Sequence, residues 1–412
     1  MNRDKSMAAP RKLTPISEAF DALLPGLNQV ADYEEVDLLS ACGRVLAQDC
    51  VSDIDVPPHA NSAMDGYAIV VGDQQVGSVL KITQRIAAGV VGKPLKQGQA
   101  ARIFTGAVIP EGSNAVVMQE NCRIEDDNLY IQQAVVEGEN LRRAGEDVTA
   151  GRKLLQKGHR LLPQDIGLLA SIGHDSVAVK RKLKVALMTT GDELIEPGTA
   201  LKPGQIYNSN FYTLYSLLAA LPVEVLDFGI IGDDFDSTRQ ALKDASVSVD
   251  CIITTGGVSV GEEDHVKAAV EAEGKLELWK LAIKPGKPLA CGKLGNAQFF
   301  GLPGNPVSAF VTFALVVRPC LLSMLECESI FANQYQMKSG FESAKSGERQ
   351  EYLRAMVSRD KDHAVNLIPY SNQSSGVGAS LSNADGLLII PPHCEVKIGD
   401  NLDFIPFNEI LN

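Results

Sequence analysis

The sequence predicts a multidomain protein of mixed class. At its centre is a doubly wound α/β domain, joined by an inserted β domain, a helical linking module and a C-terminal β-barrel. Three observations carry this reading. The chain has 412 residues, too many for a single hydrophobic core. Between Lys182 and Glu326, apolar runs alternate with amphipathic stretches, the pattern of a mainly parallel sheet with crossover helices. On either side of that region, short β-rich runs are broken by Gly, Asn, Ser and Pro, as in small β domains.

In chain order, Thr14-Pro15 reads as the N-cap and first position of a helix over ISEAFDALL. VDLLSACGRVLAQD then has apolar residues at helical spacing. Runs such as YAIVV, VLKITQRI and AVVMQ place a β domain over 46–149. PQDIGLLASIG reads as a short helix, with Pro163 at its start and Gly173 past its end. If it packs back on the first helices, 1–45 and 150–181 form one discontinuous helical linking module. The α/β domain spans 182–328, with strand candidates KVALMTTG, VEVLDFGII, CIITTGG, LWKLAIKPG and AQFFGLPG. The remaining residues, 329–412, read as a small β-barrel.

Composition narrows the function. The net charge of −13, without a long basic run, argues against a nucleic-acid surface. The longest apolar run, FVTFALVV, stops at Arg318, too short for a membrane span. The N-terminal MNRDKSMAAPRKL lacks the apolar core of a secretory signal. The eight cysteines form no CxxC pair, so neither a zinc site nor a disulfide framework is expected. The expectation is a cytoplasmic protein with reduced thiols.

In an open α/β sheet, ligands sit beyond the carboxyl ends of the strands. The loops expected there are rich in chemistry: Thr190-Gly191-Asp192-Glu193, Gly232-Asp233-Asp234, Gly256-Gly257-Val258-Ser259 with Glu262-Glu263-Asp264, and Pro303-Gly304-Asn305-Pro306. Helix capping explains carboxylates that precede a helix. Several converging on one edge also suit a magnesium ion beside a phosphate, which makes Glu193, Asp233 and Asp264 the candidate metal set. Gly256 and Gly257 let backbone N–H groups approach an anion, although a Gly pair by itself is usually only a turn. Lys280 and Lys284 share a face if WKLAIK is a regular strand. They then contact an anion, or form a solvated edge that blocks aggregation. Asn305 and Pro306 suit the start of a helix aimed at the same edge. In the β domain, Asp65, Thr105, Arg142 and Asp147 lie in turn-rich strings that surface ion pairs would also explain. The six histidines show no metal spacing.

Taken together, NSAMDGYA (61–68), TGA (105–107), RRAGED (142–147), TGDEL (190–194), GGVSVGEEDH (256–265), KLAIKPGKP (280–288) and GLPGNPVSA (301–309) resemble the molybdopterin molybdenumtransferase family (MoeA, and the E domain of gephyrin). The resemblance implies a four-domain subunit in an elongated homodimer. It implies that adenylylated molybdopterin and molybdate bind in an α/β cleft, and that molybdenum insertion is accompanied by magnesium-dependent release of AMP. By motif position, Glu193, Asp233, Asp264, Lys280, Lys284, Pro303 and Pro306 would form the cleft, with Thr190, Gly256, Gly257, Ser259 and Asn305 beside them. Asp65, Thr105, Arg142 and Asp147 would reach it from the β domain of the partner subunit, and Arg354 and Ser375 from the C-terminal domain. Implied partners are a molybdopterin adenylyltransferase and downstream cofactor-handling proteins. The rival readings are a non-catalytic scaffold of the same fold and a tungstate-inserting relative.

Overall fold

The computed structural model describes residues 13–72, 76–257, 265–359 and 363–411. Its central sheet contains β1 (Leu183–Thr190), β2 (Val223–Ile231), β3 (Cys251–Thr255), β4 (Lys275–Lys280), β5 (Pro288–Leu294) and β6 (Ala297–Leu302), in the order β2-β1-β3-β6-β5-β4. The pairs β2·β1, β1·β3 and β3·β6 are parallel, whereas β5 runs antiparallel to both β6 and β4. Helix α1 (Ser209–Ala219) follows β1, α2 (Phe235–Ser246) follows β2, α3 (His265–Glu273) precedes β4, and α4 (Pro306–Met324) follows β6.

Both faces of this sheet are covered, which is why its strands read as continuous apolar runs. Val185 and Leu187 of β1 point to a core shared with Leu214, Leu218, Val307 and Val311 of α1 and α4. Ala186 and Met188 point to the opposite core, with Leu242, Ala245, Val266 and Val270 of α2 and α3. Helix α4 has a mean hydropathy of 1.9 and is 89% buried, so its apolar length serves the core. Its middle, Phe313–Val317, widens into a π-helical turn just before Pro319. Proline lacks an N–H and clashes with the carbonyl of the preceding turn, and the wider turn accommodates both effects.

The C-terminal strands Tyr335–Ser339, Gln350–Arg359, Val365–Pro369, Gly386–Ile390 and Asn401–Pro406 close on themselves, because Gln350–Arg359 pairs with both Val365–Pro369 and Gly386–Ile390. The barrel is extended by Ile283–Lys284 of the α/β domain, which pairs with Gln350 and Glu351. The β domain holds a six-stranded sheet with Gln99–Ile103 and Val79–Ile86 at its centre.

Segments from both sides of the β domain share one small core, in which Leu38, Leu46 and Cys50 meet Leu155, Leu161, Leu169 and Val179. The helix expected over VDLLSACGRVLAQD shrinks to Leu38–Ala41, capped by Asp37. Val45 and Leu46 are instead drawn into bridges with Arg160 and Val179, and this tertiary pairing overrides the helical spacing. The first helix, Ile16–Leu23, buries Ala19, Phe20 and Leu23 against the α/β core rather than in the linking region.

Candidate functional site

The register aligns the carboxyl ends of the strands. Ile231 lies opposite Thr190, Thr189 opposite Thr255, and Thr255 opposite Leu302. Pro288, which begins the reversed strand β5, pairs with Lys280, the last residue of β4. One edge therefore carries, in spatial order, Asp233, Asp192 and Glu193, Gly256, Pro303 and Gly304, and finally Lys280. At ~4.8 Å per strand this row spans about 24 Å. Its charge runs from acidic at one flank to basic at the other.

At the acidic flank, the Asp233 N–H donates to Asp192 Oδ1 at 3.1 Å, which ties the two strand-end loops together. Asp234, not Asp233, caps α2 through the Ser237 N–H. That bond, together with a side-chain bond from Ser237, holds the Asp234 carboxyl below its ordinary value. Asp233 and Glu193 are exposed and remain available to a ligand.

At the centre, Gly256 has φ +94° and Gly257 φ +61°. A Cβ on Gly256 would meet the Thr190 carbonyl oxygen at 2.5 Å, and one on Gly257 would meet Val266 Cγ2 at 2.5 Å. Only glycine gives this turn without strain. Asn210 Nδ2 donates to Thr255 Oγ1 at 3.0 Å and to the Gly304 carbonyl at 2.7 Å. The Thr255 hydroxyl in turn donates to the Pro303 carbonyl at 3.1 Å. The PGNP loop is thus pinned to β3. Asn305 begins α4 without a side-chain capping bond, which leaves its exposed amide uncommitted to the helix. Asn208 caps α1 and donates to Thr189 Oγ1 at 2.9 Å. Thr190, Glu193, Tyr207, Asn210, Gly256 and Pro306 help to line a cleft of about 100 Å³ here.

At the basic flank the expected regular strand is broken. β4 ends at Lys280, Leu281 is fully buried, and Ile283–Lys284 joins the barrel. Lys280 and Lys284 therefore do not share a strand face, and Lys284 Nζ pairs with Glu351 Oε1 at 3.0 Å. The barrel also reaches the edge at Ser375, whose carbonyl accepts from the Val307 N–H at 3.1 Å. Arg354, expected at the cleft, is fully buried within the barrel. It donates to Ser380 Oγ and to the carbonyls of Asn372 and Ser374, so it shapes the loop that carries Ser375.

In the β domain, Asp65 Oδ1 accepts from both the N–H and the hydroxyl of Thr105, each at 2.8 Å. Those bonds hold its carboxyl below the ordinary value. Arg142 pairs with Asn61 on the adjoining strand, and both Arg142 and Asp147 are exposed. The bonds described for Asp65 stay within the β domain.

Ser259 and Asp264 lie outside the described residues. Among the described residues no three His, Cys, Asp or Glu side chains form a metal cluster, so Glu193 and Asp233 do not make one without a further donor. Sequence reasoning overlooked the segment Tyr207–Asn210. Its one available signal was Asn208 before an apolar helix, an N-cap that brings a further loop to the same edge.

Three family descriptions match the chain: "MoeA N-terminal region (domain I and II)" over residues 14–173, "Probable molybdopterin binding domain" over 186–323, and "MoeA C-terminal region (domain IV)" over 336–407. A molybdopterin molybdenumtransferase of Haemophilus influenzae is 37% identical over 404 residues, covering 96% of this chain and 99% of the relative. The chain belongs to the molybdopterin molybdenumtransferase family. A second member, from Nostoc sp., is 36% identical and covers 90% of this chain and 87% of its own length. The crystal structure of a molybdopterin biosynthesis moeA protein from Pyrococcus horikoshii superposes with a TM-score of 0.83 at 31% identity, covering 96% of this chain and 100% of that one. As a molybdenumtransferase-family member, the chain is an enzyme of molybdenum cofactor biosynthesis.

Proposed function

We propose that the chain inserts molybdenum from molybdate into adenylylated molybdopterin, with magnesium-dependent release of AMP, along the carboxyl edge of the α/β sheet. The observation that carries this reading is the order of charge on that edge, from Asp233 and Asp192 through the Gly256–Gly304 centre to Lys280. An extended ligand with a pyrophosphate needs such a row. Glu193 and Asp233 offer hard oxygen donors on neighbouring strand ends, whose loops are tied together by the Asp233 N–H bond to Asp192 Oδ1 at 3.1 Å. This suits magnesium, which takes one or two carboxylates and fills its remaining positions with phosphate oxygens and water. When bound, the ion would neutralise charge on the phosphates during cleavage of the anhydride. The protein's own contribution is to position the anhydride beside these carboxylates.

The working unit in this reading is a homodimer in the cytoplasm. Asp65, Thr105, Arg142 and Asp147 of one copy close over the cleft of the other. Their exposure, and the confinement of Asp65 to β-domain partners, support this arrangement. The substrate would come from an adenylylating enzyme, because the anhydride must be made before it is cleaved. The test is incubation of the purified protein with adenylylated molybdopterin, molybdate and magnesium, following AMP and dithiolene-bound molybdenum. Stoichiometric release of AMP with metal insertion is expected. No release from a substrate shown to be intact would favour the scaffold reading.

A further inference from the structure

Asp192 and Glu193 stand at the root of a long excursion, residues 191–208, between β1 and α1. Connections of this length are uncommon in compact domains unless they carry function. The excursion returns to its own root. Leu194–Ile195 pairs in parallel with Ile206–Tyr207, and the Ile206 N–H donates to the Glu193 carbonyl at 2.8 Å. The Glu193 carboxylate is folded back over Gly191, where a Cβ would meet its Oε2 at 2.5 Å. Asp192 Oδ1 accepts from the Asp233 N–H. The path of this loop therefore decides where both Glu193 and Asp233 stand.

One buried amide ties the loop to its surroundings. Asn208 is 1% exposed. Its Oδ1 accepts from the Phe211 N–H at 3.4 Å, which caps α1. Its Nδ2 donates to Thr189 Oγ1 at 2.9 Å, at the end of β1, and to Glu196 Oε1 at 3.4 Å, on the loop. Its N–H donates to the Ile195 carbonyl at 3.0 Å. The other oxygen of Glu196 accepts from the Tyr212 hydroxyl at 2.9 Å, in the first turn of α1. Capping α1 needs only Asn208 Oδ1. The bonds of Nδ2 and of Glu196 do something further, because they hold the loop between β1 and α1. Neither Glu196 nor Tyr212 lines the cleft. Resting on the function proposed above, we infer that Glu196, Asn208 and Tyr212 are positioning residues. They brace the loop so that Glu193, and Asp233 through Asp192, meet the metal and phosphate end of the substrate in a fixed geometry.

The test compares the full chain with Tyr212→Phe, Glu196→Ala and Glu196→Gln. Tyr212 and Glu196 are exposed, so these variants should melt like the wild type. Two quantities are read: hydrogen–deuterium exchange by mass spectrometry, and AMP release from adenylylated molybdopterin as a function of magnesium concentration. In Tyr212→Phe and Glu196→Ala, amide exchange over 191–208 should rise by about threefold to tenfold, the equilibrium equivalent of one hydrogen bond. The magnesium concentration for half-maximal release should rise by a similar factor, while the rate at saturating magnesium stays at the wild-type level. Glu196→Gln keeps an acceptor for the Tyr212 hydroxyl and should stay near the wild type in both readings. A merely structural brace would lower the melting temperature and leave the magnesium requirement unchanged. The inference is overturned if exchange over 191–208 does not rise, if the variants need no more magnesium than the wild type, or if Glu196→Gln behaves like Glu196→Ala. Absence of AMP release by the wild type would count against the proposed reaction alone, and the exchange measurement would still decide whether the brace holds the loop.

Discussion

Lys284 Nζ lies 3.0 Å from Glu351 Oε1, an ion pair that fastens the lysine loop of the α/β domain to the C-terminal barrel. The lysine side chain is about half exposed and the glutamate largely covered. The barrel carboxylate therefore occupies the place an incoming anion would take. Glu351→Gln should change stability by less than about 1 kcal/mol, because a partly exposed pair is worth little. It should also tighten molybdate binding severalfold by releasing Lys284. Isothermal titration with molybdate checks this, and weaker binding would mean that the pair positions the lysine instead of restraining it.

Asp65 is expected to stay ionised to lower pH than an ordinary carboxylate, because the two Thr105 bonds favour its charged form. Its folded-state pKa is depressed, so the pair's contribution is present above the unfolded-state value and is lost as pH falls through the folded one. Thr105→Val should move the carboxyl titration upward, towards the ordinary value. Carbon-detected NMR titration of the Asp65 carboxyl reads the shift directly.

Gly256→Ala introduces a Cβ at positive φ that would sit 2.5 Å from the Thr190 carbonyl. A strain of about 1–3 kcal/mol is expected, together with displacement of the turn. Molybdenum insertion should fall by at least about tenfold, the rate equivalent of 1.4 kcal/mol, while the far-ultraviolet circular dichroism stays native.

Asn210→Ala removes the donor shared by Thr255 Oγ1 and the Gly304 carbonyl. Thr255 is only 2% exposed, so its hydroxyl loses an amide donor that water cannot readily replace. A loss of about 1–2 kcal/mol is expected, with proteolytic susceptibility appearing first in the PGNP loop. Limited proteolysis with mass spectrometry reports the site of cleavage.

Arg354→Ala should be the most destabilising of these changes. It empties a fully buried position and leaves two carbonyls and the Ser380 hydroxyl without their donor. About 3–5 kcal/mol is expected from the cavity and the lost bonds together. Arg354→Lys should not restore it, because an ammonium cannot reproduce the planar fork. Urea denaturation followed by fluorescence gives the comparison.

The α/β sheet was legible in the sequence because both of its faces are buried. Val185, Ala186, Leu187 and Met188 are apolar in succession yet divide between two cores, and such a run bounded by turns reads as a buried strand. The loops at its carboxyl edge were legible for the same reason. What the sequence hid are features decided by distant partners. Val45 and Leu46 leave their helical pattern only because Arg160 and Val179 pair with them. The strand at WKLAIK breaks because Ile283 and Lys284 are recruited by Gln350 and Glu351. The resemblance brings Arg354 to the cleft, and only the closed barrel shows it turned inward. Tyr207 and Asn210 carry no motif of their own; pairing of Tyr207 with Ile195 and the Asn210 bonds to Thr255 and Gly304 bring them beside Gly256.

The lysine segment is gripped from both ends of the chain. The Thr14 N–H donates to the Lys280 carbonyl at 2.8 Å and the Ala282 N–H to the Thr14 carbonyl at 2.7 Å, while the Gln350 N–H donates to the Ala282 carbonyl at 2.9 Å. A ribosome must therefore emit residue 14, the lysines and residue 350 before the basic flank can settle. Until then the first helix waits for a docking surface some 266 positions downstream. The strands of the acidic flank, β1 and β2, leave the ribosome well before the lysine segment, so the cleft's edge is laid down from its acidic end to its basic end.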